Sequence, residues 1–334
     1  MKNLVVDIRK QNLGLMEGTL RSLFEVEISS DLFVWIIYNN ISSREIKELV
    51  KIFKEFDFTN FKLISFKTIL SKIGNQEFLE KKEREFYLSE FLLLFMPHFF
   101  SEINNFHWIS SPIYFNERCL DEIKINSKTK NIGAFPLSIR LSGEIENYMI
   151  KSTNFMQSYL KDYHNQWMIN TNFGLIDVQK FIKKFSISYL FDYLGSVSYL
   201  NNPALVLNFI LYDYSLILKP DYLCDYSAER KTYKKLVKKS KKVFNFKYDS
   251  NPCLIEIRPE ILKSSKIDNY HFEFYSLIEC HTTDLSTGEI SNNDNIYDEK
   301  NIKKIKELVK RKLTNHPRLY RLARFFYRFK LSNE

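Results

Sequence analysis

The chain has 334 residues, of which 45% are hydrophobic and 16% aromatic, and this composition excludes a disordered protein. It contains only 8 glycines, and neither G-x-G-x-x-G nor G-x-x-x-x-G-K-[ST] occurs, which excludes the common glycine-rich nucleotide loops. The formal net charge is +9, but residues 301–330 carry 11 Lys or Arg against Glu307 alone, so the charge is concentrated in the tail and the rest of the chain is close to neutral.

The cysteines and the apolar segments indicate a cytoplasmic protein. Cys119, Cys224, Cys253 and Cys280 are widely spaced and form no C-x-x-C pair, which predicts reduced thiols rather than a zinc site. The apolar run at the start is too short for a signal peptide. The longest apolar run, residues 91–100, is well short of the roughly 20 residues that a membrane-spanning helix needs.

The first part of the chain alternates strand and helix patterns. We predict strands at 3–8, 32–40 and 60–66, with helices at 16–27 and 42–56 between them. The second helix begins after the candidate N-caps Ser42 and Ser43 and carries its apolar residues on one face. This alternation predicts βαβ units and a parallel sheet.

Sequence patterns in the middle of the chain predict further strands and helices. A buried helix is expected at 88–100, and a strand at 106–115 with a break at Pro112. Further segments are expected in this order: a strand at 137–145, a helix at 146–163, a kinked strand at 167–178, helices at 178–185 and 204–214, and β-type runs between 245 and 285. The overall prediction is an α/β protein with a mixed sheet flanked by helices.

Three segments carry a resemblance to a known family. They are residues 87–113 with LLLFMP and His107-Trp108-Ile109-Ser110-Ser111-Pro112-Ile113, residues 169–181 with INTNFGLIDVQKF, and residues 203–208 with PALVLN followed by Lys219-Pro220-Asp221-Tyr222. The order of these segments and the positions of their apolar residues resemble those of the family 8 glycosyltransferases. The resemblance implies a GT-A-like fold, with a nucleotide-sugar-binding half at 1–136, an acceptor-side half at 137–290 and a separate C-terminal tail at 291–334.

The polar motif residues that are characteristic of that family are missing from this chain. Where the family has two aspartates that bind a divalent metal at the donor diphosphate, this chain has Ser110 and Pro112. The family's Asp-Gln pair beside the reacting sugar corresponds to Pro203 and Ala204. We therefore expect no divalent-metal cofactor, and the sequence identifies no catalytic residue.

Two polar clusters are the candidate nucleotide-sugar-binding residues: Asp7, Arg9, Lys10, Gln11, Ser110, Ser111, Asn170, Thr171 and Asn172. The first four lie at the carboxyl end of a strand, where open α/β sheets bind ligands, and Arg9 or Lys10 could replace the charge of the metal. The alternative is that these are ordinary loop charges. Asn170, Thr171 and Asn172 suit sugar hydroxyls, but they equally suit a β-turn.

The tail has the pattern of a membrane-surface helix. Apolar residues recur at three- and four-residue steps and are bordered by arginines, and the candidate membrane-binding residues are Arg318, Arg321, Arg324, Phe325, Phe326, Arg328 and Phe329. This predicts peripheral attachment to an anionic membrane on its cytoplasmic face. The alternative is that the phenylalanines pack on the protein body. No nucleic-acid-binding module is present.

Two functions remain open at this point. The first is a glycosyltransferase that moves a sugar from a nucleotide-sugar donor to a cell-surface glycan without the usual metal site. The second is a catalytically inactive pseudo-glycosyltransferase that binds a glycan or another glycosyltransferase.

Overall fold

The computed structural model describes residues 1–74, 87–140, 167–197, 202–218, 223–225 and 253–257. The chain divides into two compact units, Met1–Arg258 and Pro259–Glu334, and every described residue lies in the first. The predicted helix at 146–163 and the candidate membrane-binding residues of the tail lie outside the described residues. The division into segments 1–136, 137–290 and 291–334 stays a prediction.

The described part of the chain alternates strands and helices. The strands are β1 (Lys2–Arg9), β2 (Leu32–Asn39), β3 (Phe61–Ser65), β4 (Asn105–Ile109), β5 (Ile113–Phe115), β6 (Ile132–Arg140), β7 (Trp167–Asp177), β8 (Ser215–Ile217), β9 (Leu223–Asp225) and β10 (Leu254–Glu256). The α-helices are α1 (Leu13–Val26), α2 (Ser43–Glu55), α3 (Phe66–Ile73), α4 (Leu92–Phe99), α5 (Val178–Lys184), α6 (Ile187–Ser196) and α7 (Pro203–Leu211).

A mixed seven-stranded sheet forms the centre of the unit. Its strand order is β3-β2-β1-β4-β7-β6-β8, in which β7 runs antiparallel to both of its neighbours and the other pairs are parallel. A smaller sheet has the order β5-β10-β9. The chain proceeds from β1 to β2 on one side and reaches β4 on the other, so the direction of strand order changes between β1 and β4.

Helices cover both faces of the large sheet. Successive residues of β1 point to opposite faces of the sheet. Val5 belongs to the hydrophobic cluster that contains residues of α3 to α7, whereas Leu4 and Val6 belong to the cluster that contains residues of α1 and α2. All three side chains are fully buried. The predicted α/β architecture with helices on a mixed sheet is confirmed.

Side-chain caps fix where several helices begin. At α2 the Ser42 hydroxyl accepts a hydrogen bond from the Glu45 amide at 3.3 Å, and the Glu45 carboxylate accepts one from the Ser42 amide at 2.6 Å. At α7 the Asn202 side chain accepts from the Leu205 amide at 3.1 Å, and Pro203 occupies the first turn. The start of α7 is therefore defined by two residues of the segment 202–204.

The break predicted at Pro112 separates two sheets. The segment 106–115 forms β4 in the large sheet and β5 in the small one. Pro112 has no N–H to donate to a ladder, and its carbonyl accepts a hydrogen bond from the Ile257 amide at 2.9 Å. Helices α3 and α6 were not predicted, whereas the helix expected at 178–185 is confirmed as α5.

Gly174 marks a close approach of two strands. It lies opposite Ala134 of β6, and a Cβ atom at this position would be 2.6 Å from the carbonyl oxygen of Gly133. Gly195 in α6 offers a matched control, because a Cβ atom there would meet nothing within 4 Å.

We expect Gly174→Ala to lower the free energy of unfolding by about 1–3 kcal/mol, because β6 and β7 must separate to admit the methyl group. Gly195→Ala should leave the stability unchanged or raise it by up to about 1 kcal/mol, since alanine favours helix. Urea unfolding of both variants measures the difference. Equal stability of the two variants would contradict the close approach.

Candidate functional site

A cavity of about 350 Å³ lies at the carboxyl ends of β1 and β4. This is the point at which the strand order changes direction, and open α/β sheets bind ligands at such points. The wall consists of Arg9, Gln11, Asn12, Glu90, Leu92, Leu93, Trp108, Ser110, Thr171, Asn172, Asn202, Pro203, Ala204 and Leu207.

The structure brings most of the predicted site residues together. Five of the nine line the cavity: Arg9, Gln11, Ser110, Thr171 and Asn172. Three more are bonded to residues of the wall or to a shared partner: Asp7, Ser111 and Asn170. Lys10 is exposed and does not belong to the wall. Pro203 and Ala204 at the start of α7 also belong to the wall.

Arg9 holds a charge cluster at one side of the cavity. Its Nε donates to Asp7 Oδ2 at 2.9 Å, its Nη2 donates to the Ser89 carbonyl oxygen at 2.8 Å, and its Nη1 donates to the Glu90 carboxylate. Asp7 is 1% exposed, and Glu90 lies at the solvent side of the cluster. The charge of Arg9 is thus already matched by carboxylates, which the sequence did not indicate.

A buried carboxylate organises another part of the wall. Glu256 on β10 is 3% exposed and accepts hydrogen bonds from Ser111 Oγ at 3.1 Å, Asn172 Nδ2 at 3.0 Å and Asn170 Nδ2 at 3.1 Å. Asn170 Oδ1 in turn accepts from the Asn172 amide at 2.7 Å, and Ser110 Oγ lies 3.3 Å from Asn172 Oδ1. The side chain of Asn172 is therefore held in one orientation at the cavity wall.

Sequence reasoning missed Glu256. The only available signal was a carboxylate inside the apolar run CLIEI, because an ionisable residue in a buried strand needs a specific set of partners. Its partners are far away in the chain, so no local pattern identifies them.

The residues around Glu256 do not fit a divalent cation. Such a cation needs several oxygen ligands with free lone pairs, usually including more than one carboxylate. Here the amide N–H groups and a hydroxyl of three neighbours converge on one carboxylate and occupy both of its oxygens. Within the ranges that the structure describes, no group of three or more His, Cys, Asp or Glu side chains could hold a metal ion.

Asn208 fixes helix α7 against strand β7. It is fully buried, and its Oδ1 accepts from the Ile169 amide at 2.7 Å while its Nδ2 donates to the carbonyls of Ile169 and Ala204 at 3.1 and 2.8 Å. This clamp places the start of α7 beside Thr171.

Trp108 supplies an aromatic part of the wall. The residue is 2% exposed, and its buried indole Nε1 has no hydrogen-bond partner among the described residues. A buried donor without an acceptor is destabilising.

Two buried titratable side chains of the large sheet, Asp7 and His107, change the stability of the fold with pH in opposite directions. Burial raises the pKa of Asp7 to about 6 against the opposing effect of Arg9, and burial with a smaller effect of Lys2 lowers the pKa of His107 to about 4. Between the unfolded value of 3.8 and the folded value of about 6, Asp7 binds a proton in the folded state, so stability falls as pH rises. His107 binds its extra proton in the unfolded state between about 4 and 6.5, so stability rises with pH.

These two contributions, each about 3 kcal/mol, should nearly cancel in the wild type between pH 4 and 7. Asp7→Asn removes the contribution to stability that falls as pH rises. The free energy of unfolding of this variant should therefore rise with pH, relative to that of the wild type, by about 3 kcal/mol. His107→Gln should show the opposite slope. Urea unfolding at four pH values tests both, and a pH-independent difference between Asp7→Asn and the wild type would contradict the assignment.

Comparisons with known proteins agree with the fold. No protein-family model matches the sequence, and no curated protein matches it. The structure is similar to the bifunctional glycosyltransferase WbbM, with a TM-score of 0.59 and 13% identity over 83% of this chain and 49% of that one. It is also similar to the galactosyltransferase LgtC, solved with donor and acceptor sugar analogues, with a TM-score of 0.56 and 7% identity over 83% of this chain and 95% of that one.

A third similar structure is the glycosyltransferase GlyE of Streptococcus pneumoniae TIGR4, with a TM-score of 0.53 and 12% identity over 83% of this chain and 61% of that one. The chain thus spans about half of WbbM and about three-fifths of GlyE. At these identities the likeness defines the fold: this chain has a GT-A-like glycosyltransferase fold.

None of the helices in the described ranges has the length and hydrophobicity needed to cross a lipid bilayer.

Proposed function

We propose that this protein is a glycosyltransferase of the family 8 type that transfers a sugar from a nucleotide-sugar donor to a cell-surface glycan. The observation that carries the proposal is the cavity at the change of strand order, where Gln11, Ser110, Thr171 and Asn172 converge. These residues come from three separate segments of the chain. Their convergence supports a binding site rather than ordinary loop and turn chemistry.

The composition of the wall suits a sugar. The amide of Asn172 and the hydroxyl of Thr171 can exchange hydrogen bonds with ring hydroxyls, whereas Leu93, Leu207 and Trp108 offer apolar surface for the C–H groups of the ring. Glu256 keeps the Asn172 amide in place before the ligand arrives.

Arg9 is the residue that we propose for the donor diphosphate. The Arg9 guanidinium is bonded to the backbone carbonyl of Ser89 inside the protein. The Glu90 side chain, in contrast, is 44% exposed and can move away from the guanidinium. A diphosphate that replaces Glu90 would form charge-assisted hydrogen bonds with Arg9. Asp7 then remains as the buried partner that orients the guanidinium. This arrangement would supply part of the charge compensation that the family obtains from its metal.

One observation favours the alternative of an inactive pseudo-glycosyltransferase. The described wall carries Arg9 with Glu90 and otherwise neutral groups, and the positions of the family's Asp-Gln pair are the non-polar Pro203 and Ala204. Such a wall suits a neutral glycan at least as well as a diphosphate. In that case the protein would act as a glycan- or partner-binding subunit, with another glycosyltransferase as the candidate partner.

Calorimetric titration of the full-length protein with a panel of UDP- and GDP-sugars, in Mn²⁺ and in EDTA, separates the two functions. The transferase proposal expects binding and slow donor hydrolysis that EDTA leaves unchanged. Absence of binding to every donor, with binding of neutral oligosaccharides, would contradict it and support the alternative.

A pair of variants tests the location of the donor site. Asn172→Ala removes an amide from the wall and should weaken donor binding about tenfold or more, the loss of one to two hydrogen bonds. Lys10→Ala is the matched control, because Lys10 is exposed and lies outside the wall. Equal affinities of the two variants would place the donor elsewhere.

We also propose that the protein is cytoplasmic and attaches to the inner face of the membrane through the tail. The proposal rests on the sequence of residues 301–330, with its 11 cations and apolar residues at helical spacing.

Replacing Arg318, Arg321, Arg324 and Arg328 by Gln should weaken binding to anionic vesicles by up to about a thousandfold, at about 1 kcal/mol per basic residue. The matched control replaces Lys234, Lys235, Lys238 and Lys239 by Gln, which removes the same charge from a second basic run, at residues 230–242. Co-sedimentation with phosphatidylserine vesicles measures both. If the two variants lose binding equally, the tail is not the attachment site.

A further inference from the structure

Two cysteines far apart in the chain meet at the edge of the small sheet. Cys119 is fully buried and Cys253 is half-buried, and both are present as thiols. The carbonyl of Cys253 accepts hydrogen bonds from the amides of Asn116 at 2.8 Å and Glu117 at 3.3 Å, so the segment after β5 is fixed against the start of β10. Both cysteines pack in the hydrophobic cluster that contains α1 and α2.

The two thiols contact one another. A hydrogen bond with Cys253 raises the pKa of Cys119, and burial and the charge of a Cys253 thiolate raise it further. Cys253 is the more accessible member of the pair, so a soluble oxidant would reach it before Cys119.

We propose that Cys119 and Cys253 form a reversible disulfide that fixes strand β10 to the segment after β5. The carbonyl of Cys253 is hydrogen-bonded to the segment that precedes Cys119, and the two thiols are hydrogen-bonded to one another, so the residues to be linked are neighbours in the fold. The nearest other described cysteine, Cys224, lies opposite Ile255 in the ladder between β9 and β10 and so is offset from Cys253.

Thiol–disulfide exchange with glutathione disulfide gives a balanced reaction. The Cys253 thiolate attacks one sulfur of the oxidant, whose S–S bond breaks and releases one glutathione thiolate. Cys119 then loses its proton and attacks the Cys253 sulfur of the mixed disulfide, which releases the second glutathione. Two protein thiols are oxidised, and one glutathione disulfide is reduced to two glutathione molecules.

The disulfide would act on the cavity through β10. Cys253 immediately precedes Leu254–Glu256, and Glu256 holds Asn170, Asn172 and Ser111. Fixing the residue immediately before this short strand restricts the separation of β10 from β5, and hence the loss of Glu256 from its partners. The reduced protein would hold the same network with less restraint. Intracellular disulfides are commonly transient and redox-sensing, which fits this role.

Equilibration of the full-length protein in glutathione buffers of graded ratio, followed by alkylation and mass spectrometry, tests the proposal. We expect the wild type to lose two of its four titratable thiols under oxidising buffer and to regain them on reduction, with Cys119 and Cys253 linked in the non-reduced peptide map. Cys224→Ala should behave like the wild type. Cys119→Ala and Cys253→Ala should form no intramolecular link between these strands.

The melting temperature provides a second readout. Oxidation should raise the Tm of the wild type by several degrees and leave that of Cys119→Ala unchanged. Retention of all four thiols in oxidising buffer, or a link that involves Cys224 or Cys280, would overturn the proposal. An oxidised wild type that melts no higher than the reduced protein would overturn the restraint on β10.

Discussion

A carboxylate buried away from water must be surrounded by donors, and the need to satisfy Glu256 determines how the cavity is built. Its partners come from the end of β4 and from β7, whereas Glu256 itself lies in the small sheet. The hydrogen bonds therefore join three segments that are distant in the chain. They also fix the orientation of Asn172, so the polar wall is formed before any ligand binds.

The same constraint bears on our proposal that this site works without a divalent metal. Among the described residues beside the end of β4, hydroxyl and amide donors converge on a carboxylate, which differs from the oxygen ligand set that such a cation needs. In another part of the wall, Arg9 is matched by Asp7 and Glu90. The cavity thus combines a rigid neutral wall with one cation whose outer partner is exposed. That combination is consistent with a metal-independent transferase and, if Glu90 stays in place, with a glycan-binding subunit.

The sequence predicted those parts of the structure that depend on local pattern. The apolar runs of β1 and β2 and the capped, amphipathic α2 could be identified from spacing alone, and the proline at 112 indicated where one sheet ends and another begins. The resemblance to a known family indicated Ser110, Thr171 and Asn172. Glu90 and Glu256 could not be found in this way, because each contacts residues that are distant in the chain, and tertiary contacts leave no periodic trace. Helix α6 was missed although its sequence carries the local signals of a helix, with Leu190 and Leu194 on one apolar face and Ser186 as the N-cap.

The central claim is that Glu256 stabilises the cavity through hydrogen-bond donors and not as a metal ligand. The most direct test is the free energy of unfolding of the wild type and of Glu256→Gln, measured in UDP with either Mn²⁺ or EDTA. Our account predicts that the substitution lowers stability by about 2–3 kcal/mol, because an amide group would face donors, and by the same amount in both solutions. A stabilisation by Mn²⁺ that is present in the wild type and absent from Glu256→Gln would contradict it.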